Sequence, residues 1–233
     1  MTEVIATMRG KRRGEDILSP SRFPGLDSPE DLKALVDMLR ERSGGLPIGV
    51  KIAAGHIEED LEFISHSGCD FITIDGRGGS TGSSPKFLKD VSSVPTVYAL
   101  SRARKYMDGH GMNQELVITG GFRTSGDCIK ALAMGADAVA MSSAALMALG
   151  CQRYRICNTG LCPMGIATQD PELESRLDVE AGARRVGNYL NALANEIRAF
   201  LRVSGHSGPD ELSLDDLCTV STEIAASTGI KHA

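Results

Sequence analysis

Four runs of apolar residues, each long enough for one β-strand, alternate along the chain with segments that have helical periodicity. The four runs cover Pro47–Ala53, Asp70–Gly76, Leu116–Gly121 and Ala136–Ser143. Strands of a parallel sheet are buried on both faces, so they occur as continuous apolar runs, and a helix joins each strand to the next. The sequence therefore predicts an α/β protein built from about four βα units around a parallel sheet.

Helix boundaries are clearest near the amino terminus. A helix is predicted over 28–45, with Ser28 as the N-cap and Pro29 at the first helical position, and a glycine pair ends it. Residues 94–100 are ambiguous, since their composition fits a strand and their position fits the start of the helix expected over 101–111. Both assignments remain open from the sequence alone.

The two ends of the chain have different patterns from the middle. The first 27 residues show little periodicity and are predicted to be irregular. The carboxyl-terminal part is predicted to be helical only. A long helix is expected from Val179 to about Ser204, and a second helix over 213–228 should begin with a capping box formed by Ser213 and Asp216.

Composition excludes several classes of function. The chain has 233 residues, a net charge of −5, 4% aromatic residues and no Trp, so binding to nucleic acid is not expected. The basic run Arg9–Arg13 is predicted to be a solvated surface loop. No apolar stretch reaches the length of about 20 residues that a membrane span needs, and no signal peptide is recognisable. A cytoplasmic location is therefore expected.

Small residues follow the last two predicted strands. Gly120-Gly121 follows one strand and Ser142-Ser143 follows the next, and each pair leads into a helix. In a (β/α)₈ barrel, the loops after the last two strands form a phosphate site, where glycines allow close approach and free backbone N–H groups donate hydrogen bonds. A simple glycine turn is the alternative. A third glycine-rich segment, Asp75–Pro85, also follows a strand.

Lys51 is unusual because it lies within an apolar run, where its side chain is expected to face the interior or the mouth of a barrel. A lysine in such a position needs a partner. The partner is either a neighbouring carboxylate in an ordinary salt bridge or an anionic cofactor. The sequence by itself does not choose between the two.

Three cysteines lie within twelve residues of the loop that follows the last βα unit: Cys151, Cys157 and Cys162. Six cysteines in a chain without a secretion signal do not indicate a disulfide framework. Zinc requires a fourth ligand that is not evident nearby, whereas three thiolates suit an iron–sulfur cluster. The spacing therefore favours iron–sulfur over zinc. The remaining cysteines are expected to be small buried side chains: Cys69, Cys128 and Cys218.

Several motifs together resemble one enzyme family. They are DILSPSR, VKI, IDG-x-GG-x-TG-x-SP, ITGGFR and C-x5-C-x4-CPMGIATQDPEL-x-x-RLDVE, spread over about residues 3–230. This combination resembles the flavin domain of glutamate synthases and the related flavin subunit of N-methylglutamate synthase. Archaeal-type glutamate synthases are more similar than the large multidomain enzymes, because IDGRGG stands where the latter usually have SGHDGG.

The resemblance implies a (β/α)₈ barrel of the TIM type that binds FMN beside a 3Fe–4S cluster. Electrons would come from a ferredoxin or an NAD(P)H-oxidising subunit. The substrate would be the imine of 2-oxoglutarate with ammonia or methylamine, reduced to glutamate or N-methylglutamate. An amidotransferase and a glycine-rich β-helix, absent from this sequence, would be partner subunits.

The resemblance also implies roles for individual residues. The three clustered cysteines would be the iron ligands. Lys51 would place its ammonium near the pyrimidine edge of the flavin and act as the catalytic residue. The other cofactor-binding positions would be Gly79, Thr81, Gly120, Gly121, Arg123, Ser142 and Ser143, with the glycine pair and the serine pair on the phosphate.

The resemblance covers only the last four strands of the barrel. It divides the chain into a partial FMN-binding barrel (1–149), a cluster loop (150–170) and a helical appendix (171–233). A half barrel leaves sheet edges exposed. One alternative is therefore a non-catalytic remnant or interaction subunit that keeps only the cluster, and another is a zinc-binding structural module.

Overall fold

Four parallel strands form the central sheet in the order in which they occur along the chain. The structure, a computed structural model, describes residues 3–15, 21–82 and 84–233. The strands are β1 (Gly49–Ala53), β2 (Phe71–Asp75), β3 (Glu115–Thr119) and β4 (Ala138–Ala140), and each pairs with its successor. The predicted α/β class and parallel sheet are confirmed, with the arrangement expected for half of an eight-stranded barrel.

Helices precede, separate and follow these strands. Two short helices are α1 (Glu3–Met8) and α4 (Lys86–Val91), and the helices of the sheet layer are α2 (Pro29–Arg42), α3 (Ile57–Ser65), α5 (Thr96–Gly109), α6 (Ser125–Ala133) and α7 (Ser143–Leu149). Helix α1 contradicts the prediction that the first 27 residues are irregular. The motif residues 16–20 lie outside the described residues.

The two faces of the sheet differ in burial. Ile72 and Ile74 of β2 and Leu116 and Ile118 of β3 are fully buried on the face that the helices cover. Their neighbours along the strands point to the opposite face and are partly or fully exposed. The exposed face is the one that would line the interior of a complete barrel.

The covered face forms the main core of the protein. Leu61 of α3 and Leu100 and Met107 of α5 pack with the buried strand residues and are no more than 1% exposed. Burying a large aliphatic side chain contributes about 1.5–3 kcal/mol relative to leaving it in water. Burial on this face therefore orders the helices on the sheet.

Helix α2 begins as the sequence predicts. The Ser28 side chain accepts a hydrogen bond from the Asp31 N–H, and the Asp31 carboxylate accepts one from the Ser28 N–H at 2.9 Å. This is a complete capping box, and Pro29 occupies the first helical position. The predicted N-cap and proline position are confirmed, and the bond to the Asp31 carboxylate completes the box.

The ambiguous segment 94–100 belongs largely to a helix. Pro95 is the N-cap of α5, so the strand assignment is wrong. The Val94 N–H donates to the Ala54 carbonyl at 2.8 Å, which ties the start of α5 to the end of β1. This contact joins residues forty positions apart and has no signal in the local sequence.

The carboxyl-terminal part agrees with the prediction only in its first half. The long helix α9 (Val179–Ser204) follows the four-residue helix α8 (Pro171–Glu174) and packs on α6 and α7.

Within the described ranges, no helix combines the length and the apolar character needed to cross a membrane.

The second predicted carboxyl-terminal helix, over 213–228, is wrong for most of its length. The Ser213–Asp216 capping box exists, but it closes only one 3₁₀ turn. The chain then forms β5 (Cys218–Thr219), α10 (Thr222–Thr228) and β6 (Lys231–His232), and β5 pairs with β6. Strand pairing of 218–219 with 231–232 therefore replaces the first part of the predicted helix, and only 222–228 is α-helical. Cys218 is exposed rather than buried as expected, whereas Cys69 and Cys128 are buried.

His206 connects the end of α9 to the capping-box turn. Its Nε2 lies 2.8 Å from Asp216 Oδ1, and its Nδ1 lies 3.6 Å from Glu211 Oε2. The hydrogen bond with Asp216 and the two nearby carboxylates raise the pKa of His206 above its usual value.

We predict that this contact weakens as the pH rises. Because the pKa is raised in the folded state, the stabilisation is complete below the unfolded pKa of about 6.5 and is lost as the pH passes the folded pKa. Melting temperatures measured from about pH 5.5 to about pH 8.5 should fall more steeply for the wild type than for His206→Gln. Parallel curves for the two proteins would contradict this assignment.

Candidate functional site

Cys151, Cys157 and Cys162 line one cavity of about 70 Å³, together with Gly82 and Ser143 among others. Cys151 follows the end of α7, Cys157 begins a short 3₁₀ turn, and Cys162 follows that turn. The fold therefore brings the three clustered cysteines to the same space. It also brings there the end of the glycine-rich loop after β2 and the start of α7.

The backbone between the first two cysteines adopts an uncommon conformation. Arg153 and Arg155 have φ angles of 57° and 62°, in the left-handed region that non-glycine residues seldom occupy. The Arg153 N–H donates to Cys151 Sγ at 3.4 Å. The turn therefore directs a backbone donor at a thiol, and residues held in the left-handed region, as these two arginines are, cluster at functional sites.

Cys162 lies among backbone amides. Burial acts to raise its pKa, but hydrogen bonds from the N–H groups of Ala167, Ile166, Met164 and Gly165 outweigh burial, so the pKa of Cys162 is lowered. Amide donors favour the thiolate form, which is the form that binds metals. The lowered pKa therefore favours Cys162 as a metal ligand or as a nucleophile.

The cavity is not a preformed site for a single metal ion. Within the described part of the chain, no three His, Cys, Asp or Glu side chains are close enough together to hold such an ion. A structural zinc site needs four ligands at about 2.0–2.3 Å from the metal. What the structure establishes is three thiols around one cavity, one of them with a lowered pKa.

The glycine-rich loop after β2 lies against the cysteine loop. A Cβ atom at Gly82 would be 3.1 Å from Cys157 Sγ, closer than ordinary contact distance. Ser80 in the same loop has a φ of 110°, an unfavourable value for a residue with a side chain. Gly79 and Thr81 lie in the same loop, between β2 and Gly82.

Gly120 and Gly121 both have positive φ angles, of 123° and 90°, but their surroundings differ. A Cβ atom at Gly120 would lie 2.6 Å from the Gly76 carbonyl oxygen and 2.6 Å from Thr96 Oγ1. Packing therefore requires a glycine at this position, whatever else it does. A Cβ atom at Gly121 would meet only Gly78 Cα, at 4.0 Å, so space beside Gly121 remains for a ligand.

Arg123 and the serine pair lie on the same edge of the sheet as these glycines. The Arg123 N–H donates to Asp127 Oδ2 at 3.0 Å, within the cap of α6. Ser142 precedes α7, and its side chain makes no capping hydrogen bond. Because β3 pairs with β4, the loops that follow these two strands are neighbours. A phosphate site at these two loops stays a prediction.

Lys51 forms a salt bridge with Asp75. Lys51 Nζ lies 3.0 Å from Asp75 Oδ2, and the two side chains are 60% and 18% exposed. The first of the two open interpretations, a carboxylate partner, is thus observed. The lysine is exposed here because it lies on the uncovered face of the sheet.

Two residues make contacts near these loops that the sequence does not predict. Asp75 belongs to the glycine-rich segment, and nothing in its local pattern marks it as the partner of Lys51. Tyr189 of α9 donates from its hydroxyl to the Arg123 carbonyl at 2.8 Å and lies 3.5 Å from Met141 Sδ, so it supports the ends of two loops. Its position in a helix gives no sign of this contact.

The conserved region in glutamate synthase, described by a family model, matches residues 1–207 of the chain. The chain belongs to the glutamate synthase family. It is 40% identical over 216 residues to the archaeal-type glutamate synthase [NADPH] of Thermotoga neapolitana, and equally to the archaeal glutamate synthase [NADPH] of Methanocaldococcus jannaschii. A glutamate synthase large subunit-like protein of Rhizobium meliloti is 34% identical over 246 residues.

The match covers most of this chain but only part of each relative. It includes 91% of the chain and 43% of the Thermotoga protein, and 97% of the chain and 55% of the Rhizobium protein. The chain therefore spans less than half the length of the archaeal-type glutamate synthases. It corresponds to a carboxyl-terminal part of them.

Solved structures with a similar fold include a flavin-binding domain. The recombinant flavin-binding domain of baker's yeast flavocytochrome b2 aligns with a TM-score of 0.57 and 19% identity, over 96% of this chain and 44% of that one. An oxidised active mutant of (S)-mandelate dehydrogenase aligns with a TM-score of 0.53 and 20% identity, over 92% of this chain and 45% of that one. At these identities the likeness concerns the fold.

We predict that the cysteines differ in reactivity according to their surroundings. The lowered pKa of Cys162 increases its thiolate fraction near neutral pH, whereas burial raises the pKa of Cys69 and of Cys128. In the metal-free chain at about pH 7, iodoacetamide should modify Cys162 at least tenfold faster than either buried cysteine. Peptide mass spectrometry measures all three rates in one sample. Equal rates at Cys162 and Cys128 would contradict the prediction.

Proposed function

We propose that the chain is the carboxyl-terminal half of the flavin-binding barrel of a glutamate synthase-type oxidoreductase that uses FMN and a 3Fe–4S cluster. The observation that carries this proposal is that three clustered cysteines line one cavity beside the glycine-rich loop at the carboxyl edge of the sheet. Family membership and the fold shared with flavin-binding domains support the same function.

The proposed cluster ligands are Cys151, Cys157 and Cys162. Iron–sulfur clusters are held by thiolates, and hydrogen bonds to the sulfur atoms tune their potentials. The amides around Cys162 and the Arg153 N–H near Cys151 supply hydrogen bonds of this kind. A cluster with several irons can use thiols that surround a cavity, whereas a single zinc ion needs ligands around one point.

The proposed FMN site follows the strand ends. Gly121 has open space beside it, and the hydroxyls of Ser142 and Ser143 and the side chain of the exposed Arg123 lie on neighbouring loops, where they would bind the phosphate. Gly79 and Thr81 would approach the ribityl chain or the substrate. FMN, when bound, supplies the hydride-transfer chemistry of the reaction.

Within this site, the role of the chain is to orient the reactants and to supply charge. Lys51 would hold a positive charge near the pyrimidine edge of the flavin, where negative charge develops on reduction. The substrate would be the imine formed, with loss of water, from 2-oxoglutarate and ammonia or methylamine. Addition of a hydride to its carbon and a proton to its nitrogen gives glutamate or N-methylglutamate.

Further components would complete the enzyme. The proposed partners are the remaining strands of the barrel, an amidotransferase, a glycine-rich β-helix subunit and an electron donor. The donor would be a ferredoxin or an NAD(P)H-oxidising subunit. The cytoplasm would supply the reducing conditions that keep the thiols free. Titrating each candidate donor against the cluster under anaerobic conditions would identify the donor.

The second candidate function is a cluster-binding subunit without catalytic activity. It is favoured by the cysteine cavity, which is lined by loop residues and by the helix α7, whereas Lys51 lies on the inner face of the sheet. A visible spectrum of the anaerobically purified protein separates the candidates. Flavin bands with a broad iron–sulfur shoulder support the enzyme, the shoulder alone supports the cluster subunit, and a colourless zinc protein supports neither.

For the cluster we predict that Cys157→Ser abolishes the iron–sulfur absorbance, because the variant removes one of three thiolate ligands. Iron analysis should then give less than one stoichiometric cluster per chain. Cys218→Ser is the matched control, since Cys218 is exposed and does not line the cavity. A cluster retained at full occupancy in Cys157→Ser would refute the assignment of this ligand.

For Lys51 we predict that Lys51→Met lowers the reduction potential of FMN bound in a complete barrel. The ammonium stabilises the reduced, anionic ring, and preorganised charges in such sites contribute about 2–4 kcal/mol. The same variant leaves Asp75, which is only 18% exposed, without its partner, so the melting temperature should also fall. A redox titration and a thermal melt separate the two effects. An unchanged potential with a lowered melting temperature would limit Lys51 to a structural role.

A further inference from the structure

The salt bridge between Lys51 and Asp75 is not a pairing of directly opposite residues. In the register of β1 with β2, Lys51 is opposite Thr73, and Asp75 is opposite Ala53. Asp75 thus lies two residues closer to the carboxyl end of the sheet, which corresponds to about 6–7 Å along a strand. Because Lys51 Nζ nevertheless lies 3.0 Å from Asp75 Oδ2, the lysine side chain must extend toward the mouth of the barrel.

The position of the Asp75 carboxylate depends on Gly79. A Cβ atom at Gly79 would lie 1.6 Å from Asp75 Oδ1 and 2.6 Å from Asp75 Cγ, so the carboxylate occupies the space that any other residue's side chain would need. Gly79 does not have a left-handed φ angle. The reason for a glycine here is therefore space for the carboxylate and not backbone conformation.

The arrangement is unfavourable for stability by itself. Asp75 Oδ1 is buried and has no hydrogen-bond partner among the residues that the structure describes. A buried oxygen without a partner destabilises a fold, and a charged one does so more. Each such exception in a native structure calls for an explanation, and a functional role is one of the explanations known for them.

We propose that Asp75 is a positioning residue that directs the Lys51 ammonium to the mouth of the barrel, and that Gly79 provides the space in which the Asp75 carboxylate is held. The ligand that the ammonium then meets is anionic and lies at the carboxyl ends of the strands. The functional part of this inference rests on the proposed FMN site, whereas its geometry concerns this chain alone.

The geometry can be tested without any cofactor by acetylating the full chain with trace acetic anhydride. An ammonium bonded to a carboxylate reacts slowly, so Lys51 acetylation should be at least threefold faster in Asp75→Asn and in Gly79→Ala, as measured by peptide mass spectrometry. Asp75→Asn retains the shape of the side chain and so limits any loss of folding. Lys33, which pairs with Asp37 on the surface of α2, is the internal control and should react equally in all proteins. Unchanged Lys51 reactivity in both variants would overturn the proposal.

A double-mutant cycle tests whether Gly79 acts through Asp75. With Asp75→Ala, the space next to Gly79 is no longer occupied by the carboxylate, so adding Gly79→Ala should change the Lys51 rate by less than a factor of two. In the wild-type background the same substitution should produce the full increase. An equal increase in both backgrounds would show that Gly79 acts independently, and the proposal would then be wrong.

The functional part of the proposal is tested by measuring the reduction potential of FMN bound in a complete barrel. Gly79→Ala changes no charge, yet it should lower the reduction potential of FMN in the same direction as Lys51→Met. The double variant should have no lower potential than Lys51→Met alone. An unchanged potential in Gly79→Ala would refute the positioning role. Absence of flavin binding would refute only the proposed FMN function, because the acetylation pattern is measured without cofactor.

Discussion

Burial of one face of two central strands is the constraint on which the rest of this structure depends. Ile72 and Ile74 of β2 and Leu116 and Ile118 of β3 are fully covered by helices, and this fixes which residues point the other way. Because the side chains of a strand alternate, Asp75 and the residues that share its face must lie on the open side. The parallel direction of the strands then places the loops that follow β1, β2, β3 and β4 at the same edge of the sheet.

Close approach between backbones ties these loops to one another. Thr96 at the start of α5 packs against Gly76 and donates to the Gly120 carbonyl at 2.7 Å, so the loops after β2 and β3 are held together. Gly82 then brings the first of these loops to Cys157. The proposed flavin and cluster sites are thus neighbours because small residues allow three loops to meet.

The open face of the sheet corresponds to the inner face of the barrel expected for a flavin domain of the glutamate synthase type. The chain covers 43% of the Thermotoga protein, and the residues that the structure describes form four parallel strands where a complete barrel has eight. Lys51 and Asp75 lie on the face that a complete barrel would enclose, where water is scarce and a charged pair acts more strongly. Both members of the pair belong to this chain, with Lys51 Nζ 3.0 Å from Asp75 Oδ2.

The sequence by itself determined the parallel sheet, the N-cap at Ser28, the long helix α9 and the grouping of the three cysteines, because each depends on periodicity or on residues close together in the chain. Tertiary structure decided the rest. Residues 96–100 are helical, and the Val94 N–H just before them bonds to the Ala54 carbonyl. Of the predicted helix over 213–228, residues 218–219 pair instead with 231–232 as short strands. Likewise, Asp75 as the partner of Lys51 and Tyr189 as a support for Arg123 depend on residues 24 and 66 positions apart, and such contacts leave no pattern in a single sequence.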